Sequence, residues 1–86
     1  MKLNKNFLVH KTGKDTVIVP TGNAGFSGVV KGNETLGIIL DLLKKDTTEK
    51  DITDAMVKEY DAPRDVIEND VKETISRLRK IGAVDE

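Results

Sequence analysis

Between residues 36 and 43 the chain is apolar at Leu36, Ile38, Ile39, Leu40, Leu42 and Leu43. At helical spacing these side chains cover most of a helix's circumference, so the segment cannot lie on a surface with one face in water. It must sit centrally, touched by other elements on several sides. Asn33 supplies an N-cap, because its side-chain oxygen can accept from the free amides of the first turn. Glu34 stands near the positive end of the helix dipole. Lys44, Lys45 and Asp46 end the helix.

The elements around this helix follow from the same kind of pattern. Phe7-Leu8-Val9-His10 is a short apolar run, and Thr16-Val17-Ile18-Val19 is a β-branched run closed by Pro20. Gly13-Lys14-Asp15 between them carries turn chemistry, so the two runs predict a hairpin. Thr21 to Gly25 reads as a loop by composition. Phe26-Ser27-Gly28-Val29-Val30-Lys31 reads as a third strand, thinned by Gly28 and ended by Gly32.

Beyond the central helix, Thr48 and Asp51 stand three apart like a capping box. Ile52, Ala55, Met56 and Tyr60 form one helical stripe, which Asp61-Ala62-Pro63 breaks. Pro63 suits the first turn of a third helix. Ile67, Val71, Ile75, Leu78 and Ile81 mark that helix's buried seam, with Gly82 as the residue after its C-cap. Three strands followed by three helices predict an α+β domain, one sheet packed on a helical cluster. At 86 residues the chain is expected to form a single domain, residues 1–86.

Composition excludes several classes. A chain this short has a thin core and cannot also enclose a deep reaction cavity. Fourteen basic and 15 acidic side chains give a net charge of −1, without the basic excess of a typical nucleic-acid binder. The chain has no cysteine, which removes disulfides, thiolate metal sites and thiol nucleophiles. A small secreted domain usually needs disulfides, so a cytoplasmic location is expected. No stretch has the length of a membrane span or a signal peptide's apolar core.

Catalytic chemistry is hard to find. The only histidine, His10, falls on a strand with no neighbouring nucleophile, so a surface or sheet-face role is expected. One histidine and scattered carboxylates do not suggest converging metal ligands. Asp65, Glu68, Asp70 and Glu73 read as a solvated helix face. Gly22, Gly25 and Gly28 invite a phosphate-loop reading, but no lysine follows at the required spacing and the segment joins two strands. Gly25-Phe26-Ser27-Gly28 lacks the spacing of a nucleophile elbow. Neither an enzyme, a cofactor nor a metal is therefore expected.

Two binding readings remain. The second and third helices could form a helix-turn-helix of a winged-helix DNA-binding regulator. Against that stand Asp65, Glu68, Asp70, Glu73 and Asp85 on the exposed face of the third helix and its flank, which would repel phosphate. The strands also precede the helices, where a wing usually follows. The other reading is strand addition: a small sheet leaves open edges whose free N–H and C=O groups an extended peptide can complete. Glycine at position 28 would let another backbone approach. Most small sheet edges bind nothing, so the residues alone do not choose.

The order and spacing of three segments resemble the PqqD-like family, the peptide chaperones of pyrroloquinoline quinone biosynthesis. This family belongs to the RiPP recognition elements, which bind leader peptides in natural-product biosynthesis. Asn33 to Leu43 is similar to the family's first helix, "NETxxxIxxLL" in form. Thr48 to Tyr60 is similar to its "TxxEIxxxLxxxY" helix. Asp70-Val71, Ile75, Leu78 and Gly82 follow "DVxxxLxxLxxxGxx". The resemblance spans roughly Phe7 to Val84. The chain departs from the family in having only aliphatics in the first helix where a large aromatic is common, and Lys31-Gly32 where a leucine is common.

That resemblance implies a winged-helix-like domain with an N-terminal three-stranded antiparallel sheet. It implies a non-catalytic module that captures a precursor's leader peptide as an extra antiparallel strand and holds it for a separate modifying enzyme, often a radical SAM enzyme. The docking strand would be Phe26, Ser27, Gly28, Val29, Val30 and Lys31. The facing wall would be drawn from Val66, Asp70, Glu73, Thr74 and Arg77 of the third helix. Arg77, Lys31 and Glu73 would set polarity and register. No membrane partner is implied, nucleic acid is disfavoured, and a homodimer through the same open edge is a third reading.

Overall fold

The computed structural model of the chain describes residues 1–22 and 28–86. In chain order it contains β1 (Lys2–Leu3), β2 (Phe7–Thr12), β3 (Asp15–Pro20), β4 (Val30–Gly32), α1 (Glu34–Leu42), α2 (Glu49–Glu59), α3 (Arg64–Lys80) and β5 (Val84–Asp85). Strands β2, β3 and β4 form an antiparallel sheet in that order, and β1 pairs with β5. The expected α+β order, a three-stranded antiparallel sheet followed by three helices, is the observed one. No helix among the described residues is long and apolar enough to cross a membrane.

The hairpin is tighter than its apolar runs imply. Thr12 pairs with Asp15, leaving only Gly13 and Lys14 in the turn. Gly13 has φ +60°, while no described non-glycine residue has positive φ. A positive φ at the first central position alone matches the II′ hairpin turn, whose twist suits the flanking strands. Both strands therefore run to the turn. Alternation along them turns Phe7, Thr16 and Ile18 inward, where all three are buried.

The third strand differs most from expectation. Phe26 and Ser27 lie outside the described residues, as do Asn23, Ala24 and Gly25 of the expected loop. Gly28 and Val29 are described but are not in the strand, which starts at Val30. The reason is backbone: Gly28 has φ +112°, off the strand region, so this glycine makes a bend. Gly32 ends the strand as expected, as its last residue, paired with Thr16. Its lack of a side chain serves packing, since a Cβ there would run into the Leu36 side chain.

Helix α1 begins as its first residues dictate. Asn33 Oδ1 accepts from the Leu36 amide at 3.1 Å. Leu36, Ile39, Leu40 and Leu43 are buried, and Ile38 and Leu42 pack partly against the same core. The helix lies on the sheet at Gly37, where a Cβ would fall 2.6 Å from Thr16 Oγ1. Thr48 caps α2 through a 3.1 Å bond from the Asp51 amide. In the seam of α3, Ile67, Val71, Ile75 and Leu78 are buried as expected, but Ile81 is only half-buried.

After α3 the chain reverses through Gly82 at φ +78°. The Gly82 amide donates to Arg79 O at 3.1 Å and the Ala83 amide to Leu78 O at 2.9 Å, the paired bonds of a Schellman motif. This reversal delivers β5 to β1. The Leu3 amide then donates to Leu43 O at 2.9 Å, and the Asn4 amide to Ala83 O at 2.7 Å. One extended segment thus ties the end of α1 to the end of α3.

A surface pair fastens β2 to α1: Lys11 Nζ donates to Asp41 Oδ2, and Lys44 Nζ stands 3.4 Å from the other oxygen. The Lys11 hydrogen bond holds the Asp41 carboxyl below its ordinary value of 3.8, against partial desolvation that would raise it. A depressed carboxylate adds stability above the unfolded-state value and loses it as pH falls through the folded one. Asp41→Asn is therefore expected to cost less than about 1 kcal/mol at neutral pH. Urea midpoints of parent and variant should converge as pH falls below the ordinary carboxylate range and Asp41 protonates in the folded state.

The Gly37 contact gives a sharper test. Gly37→Ala alone is expected to destabilise by roughly 1–2 kcal/mol through overpacking on Thr16. With Thr16→Ala in place the same change should stabilise by up to about 1 kcal/mol, the helix preference of alanine over glycine. A double-mutant cycle in urea, with unchanged slopes, measures the difference.

Candidate functional site

β4 is an edge strand, and α3 stands opposite its open side. Between them run two hollows that share Leu36, Thr74 and Arg77 and so make one groove. The first, about 250 Å³, is floored by Val30, Leu36, Leu78 and Ile81, with Thr74, Arg77 and Lys80 around them. The second, about 300 Å³, lies between Lys31, Gly32, Asn33 and Thr35 on one wall and Asp70, Glu73, Thr74 and Arg77 on the other. One end of the groove is thus apolar and the other polar.

Local structure explains each wall. Val30 shares the inward face of the sheet with its partner Ile18. Leu36 is brought under β4 by the Asn33 cap and by the absence of a side chain at Gly32. On α3, positions 70, 73, 74, 77, 80 and 81 follow the helical repeat, so they share one side of the helix. From Asp70 to Ile81 this side extends about 16 Å, at 1.5 Å per residue. That length matches about five residues of extended chain.

Of the residues expected at the site, Val30, Lys31, Asp70, Glu73, Thr74 and Arg77 line this groove. Phe26 and Ser27 lie outside the described residues. Gly28 and Val29 precede the strand, because the bend at Gly28 interrupts extended geometry, and Val29 is 62% exposed. Val66 is exposed but lines neither hollow, which stop one helical turn short of it at Asp70. Gly32, Asn33, Thr35, Leu36, Leu78, Lys80 and Ile81 were missed. Helical spacing onward from Arg77 points to Lys80 and Ile81. No comparable signal marks Leu36, whose place depends on the Gly32 contact.

His10 is exposed on β2, paired in register with Val17. Among the described residues no group of three or more His, Asp or Glu could hold a metal ion. A cleft of about 220 Å³ between α2 and α3 is walled by Glu49, Lys50, Thr53, Arg64, Glu68 and Lys72, without an apolar floor.

The family model for coenzyme PQQ synthesis protein D (PqqD) matches residues 15–84, from β3 into β5. No curated protein matches in sequence. Two solved structures share the fold. One is TbiB1 in complex with the TbiA(beta) leader peptide, with a TM-score of 0.79 at 18% identity, covering 96% of this chain and 93% of that one. The other is lasso peptide synthetase B1 complexed with the leader peptide, with a TM-score of 0.73 at 22% identity, covering 94% and 92%.

Groove wall and core seam lie on adjacent sides of α3, and substitution should separate them. Ile75→Ala, at a fully buried position, is expected to cost about 2–5 kcal/mol. Asp70→Ala and Arg77→Ala, at exposed positions without an ion pair among the described residues, should change stability by no more than about 0.5 kcal/mol. Thermal unfolding of the three variants checks the contrast.

Proposed function

The chain belongs to the PqqD family, and from that premise we propose that it captures the leader segment of a ribosomally made precursor peptide and presents it to a separate modifying enzyme. The observation that carries this reading is the groove itself, an open strand edge set beside an apolar floor. An extended peptide pairs antiparallel with β4 at Val30–Gly32. Main-chain hydrogen bonds supply affinity, and alternate side chains point into the groove and are read there. Two solved structures that share the fold are complexes with leader peptides, which supports a leader peptide as the ligand.

The span 1–86 acts as one unit and performs no chemistry of its own. Its contribution is to raise the precursor's effective concentration at the partner's active site. A radical SAM enzyme is a partner of the kind this family serves. A cytoplasmic setting suits a chain without cysteine. Docking involves Val30, Lys31, Asp70, Glu73, Thr74 and Arg77, with Leu36, Leu78 and Ile81 as floor.

Titration of isotope-labelled protein with a candidate leader peptide tests this reading. Amide shifts should concentrate at Val30–Gly32 and Asp70–Ile81. Ile81→Asp, which places a charge in the apolar hollow, should weaken binding roughly tenfold or more while leaving the fold intact. Salt-sensitive shifts along α3 with duplex DNA, and none with peptide, would establish the DNA-binding reading instead. Concentration-dependent sedimentation without ligand would mark the edge as a dimer contact.

A further inference from the structure

Most charged residues of α3 divide by position; the exception is Asp65, which lies outside the groove without an ion pair among the described residues. Arg64, Glu68, Lys72 and Arg79 form ion pairs, with Asp54, with each other, and with Glu49 and Glu86, and all lie outside the groove. Asp70, Arg77 and Lys80 line the groove and have no ion pair among the described residues. Glu73 has only a 3.5 Å hydrogen bond from Asn69 Nδ2. On the opposite wall Lys31 is already matched to Asp15 at 3.6 Å. The charges left unmatched along the groove therefore run from two carboxylates, Asp70 and Glu73, through Arg77 where the hollows meet, to Lys80 at the other end.

Strand direction turns this polarity into a sequence requirement. Val30 stands beside Arg77–Ile81 and Gly32 beside Asp70–Arg77, so β4 runs antiparallel to α3. A peptide antiparallel to β4 runs parallel to α3. Its earlier residues face Asp70 and Glu73, and its later ones face Arg77 and Lys80. Resting on the leader-capture reading, we propose that this groove selects a leader with a fixed charge order. A Lys or Arg precedes the aliphatic anchor that fills the Val30–Leu36–Leu78–Ile81 hollow, and an Asp or Glu follows close behind it. The two charge centres on α3 stand about 10 Å apart along the axis. The peptide's cation and anion are thus separated by about three residues of extended chain. A leader with the opposite order meets like charge at both ends, so the same groups that favour one order reject the other.

Two end-blocked synthetic peptides of identical composition test this. One has lysines before and glutamates after a Val-Thr-Leu anchor, and the other has the charges exchanged. Dissociation constants are read from amide shifts at Val30–Gly32 in low salt and in about 0.5 M salt. The first peptide is expected to bind about five-fold or more tightly, as two partly exposed charge pairs allow, with the preference fading in high salt. The double variant Glu73→Arg, Arg77→Glu keeps the composition of α3 and should reverse the preference. Equal affinity for both peptides, or a preference unmoved by the double variant, would overturn the charge-order inference and leave peptide capture standing. Absence of shifts at Val30–Gly32 with either peptide would overturn both.

Discussion

The fold depends on how closely α1 can approach the sheet. Nearly every side of this nine-residue helix is apolar, so it must be enclosed, and enclosure requires the sheet backbone to come near. Gly37 on the helix and Gly32 on β4 permit that at two points, against Thr16 and Leu36 respectively. A methyl group at either would meet a packed side chain, Thr16 or Leu36, which would have to shift. At this separation Ile39, Leu40 and Leu43 are fully buried. Each contributes on the order of 1.5–3 kcal/mol by leaving water.

The same approach creates the groove. With β4 drawn down onto Leu36, the inner side of the strand faces α1 and its open edge faces α3. Helix α3 is held at that distance from its far end, where the Schellman turn at Gly82 and the β1–β5 pair tie it to the end of α1. The groove is thus what remains between two elements fixed elsewhere, and forming it requires no strained residue of its own. This accounts for a floor built from ordinary core side chains, Leu78 from the seam and Ile81 just past it.

Sequence reading succeeded where a local chemical rule applies and failed where packing decides. Asn33, Thr48 and Gly82 were legible because a cap or a left-handed turn is determined by the residues that make it. Positions 70, 73, 74 and 77 were legible because a helix face follows from spacing once the seam is known. Gly28 and Gly32 defeat such rules. In sequence they bracket a β-prone run symmetrically, yet one supplies a positive φ and the other makes room for Leu36. The strand limits follow from that difference, which no propensity encodes. β1 and β5, at two residues each, are too short to carry a period. Ile81 continues the seam by count, but the helix ends there and the residue stays half-buried.

A domain of this size therefore carries an unfinished side. Val30 and Ile81 are only partly buried, beside a strand edge without a partner strand among the described residues. On the proposed reading a leader peptide would act as a fourth strand, making β4 an interior strand and covering that apolar floor. Binding and folding then act on the same surface, and the folded state gains stability in proportion to ligand occupancy. The division of charge on α3 follows from the same economy of size. Ion pairs away from the groove hold the helix against α2 and the chain end, while the groove charges stay available because a small domain has few other positions from which to read a ligand. The side of the molecule that contributes least to its own core is also the side on which recognition can be written.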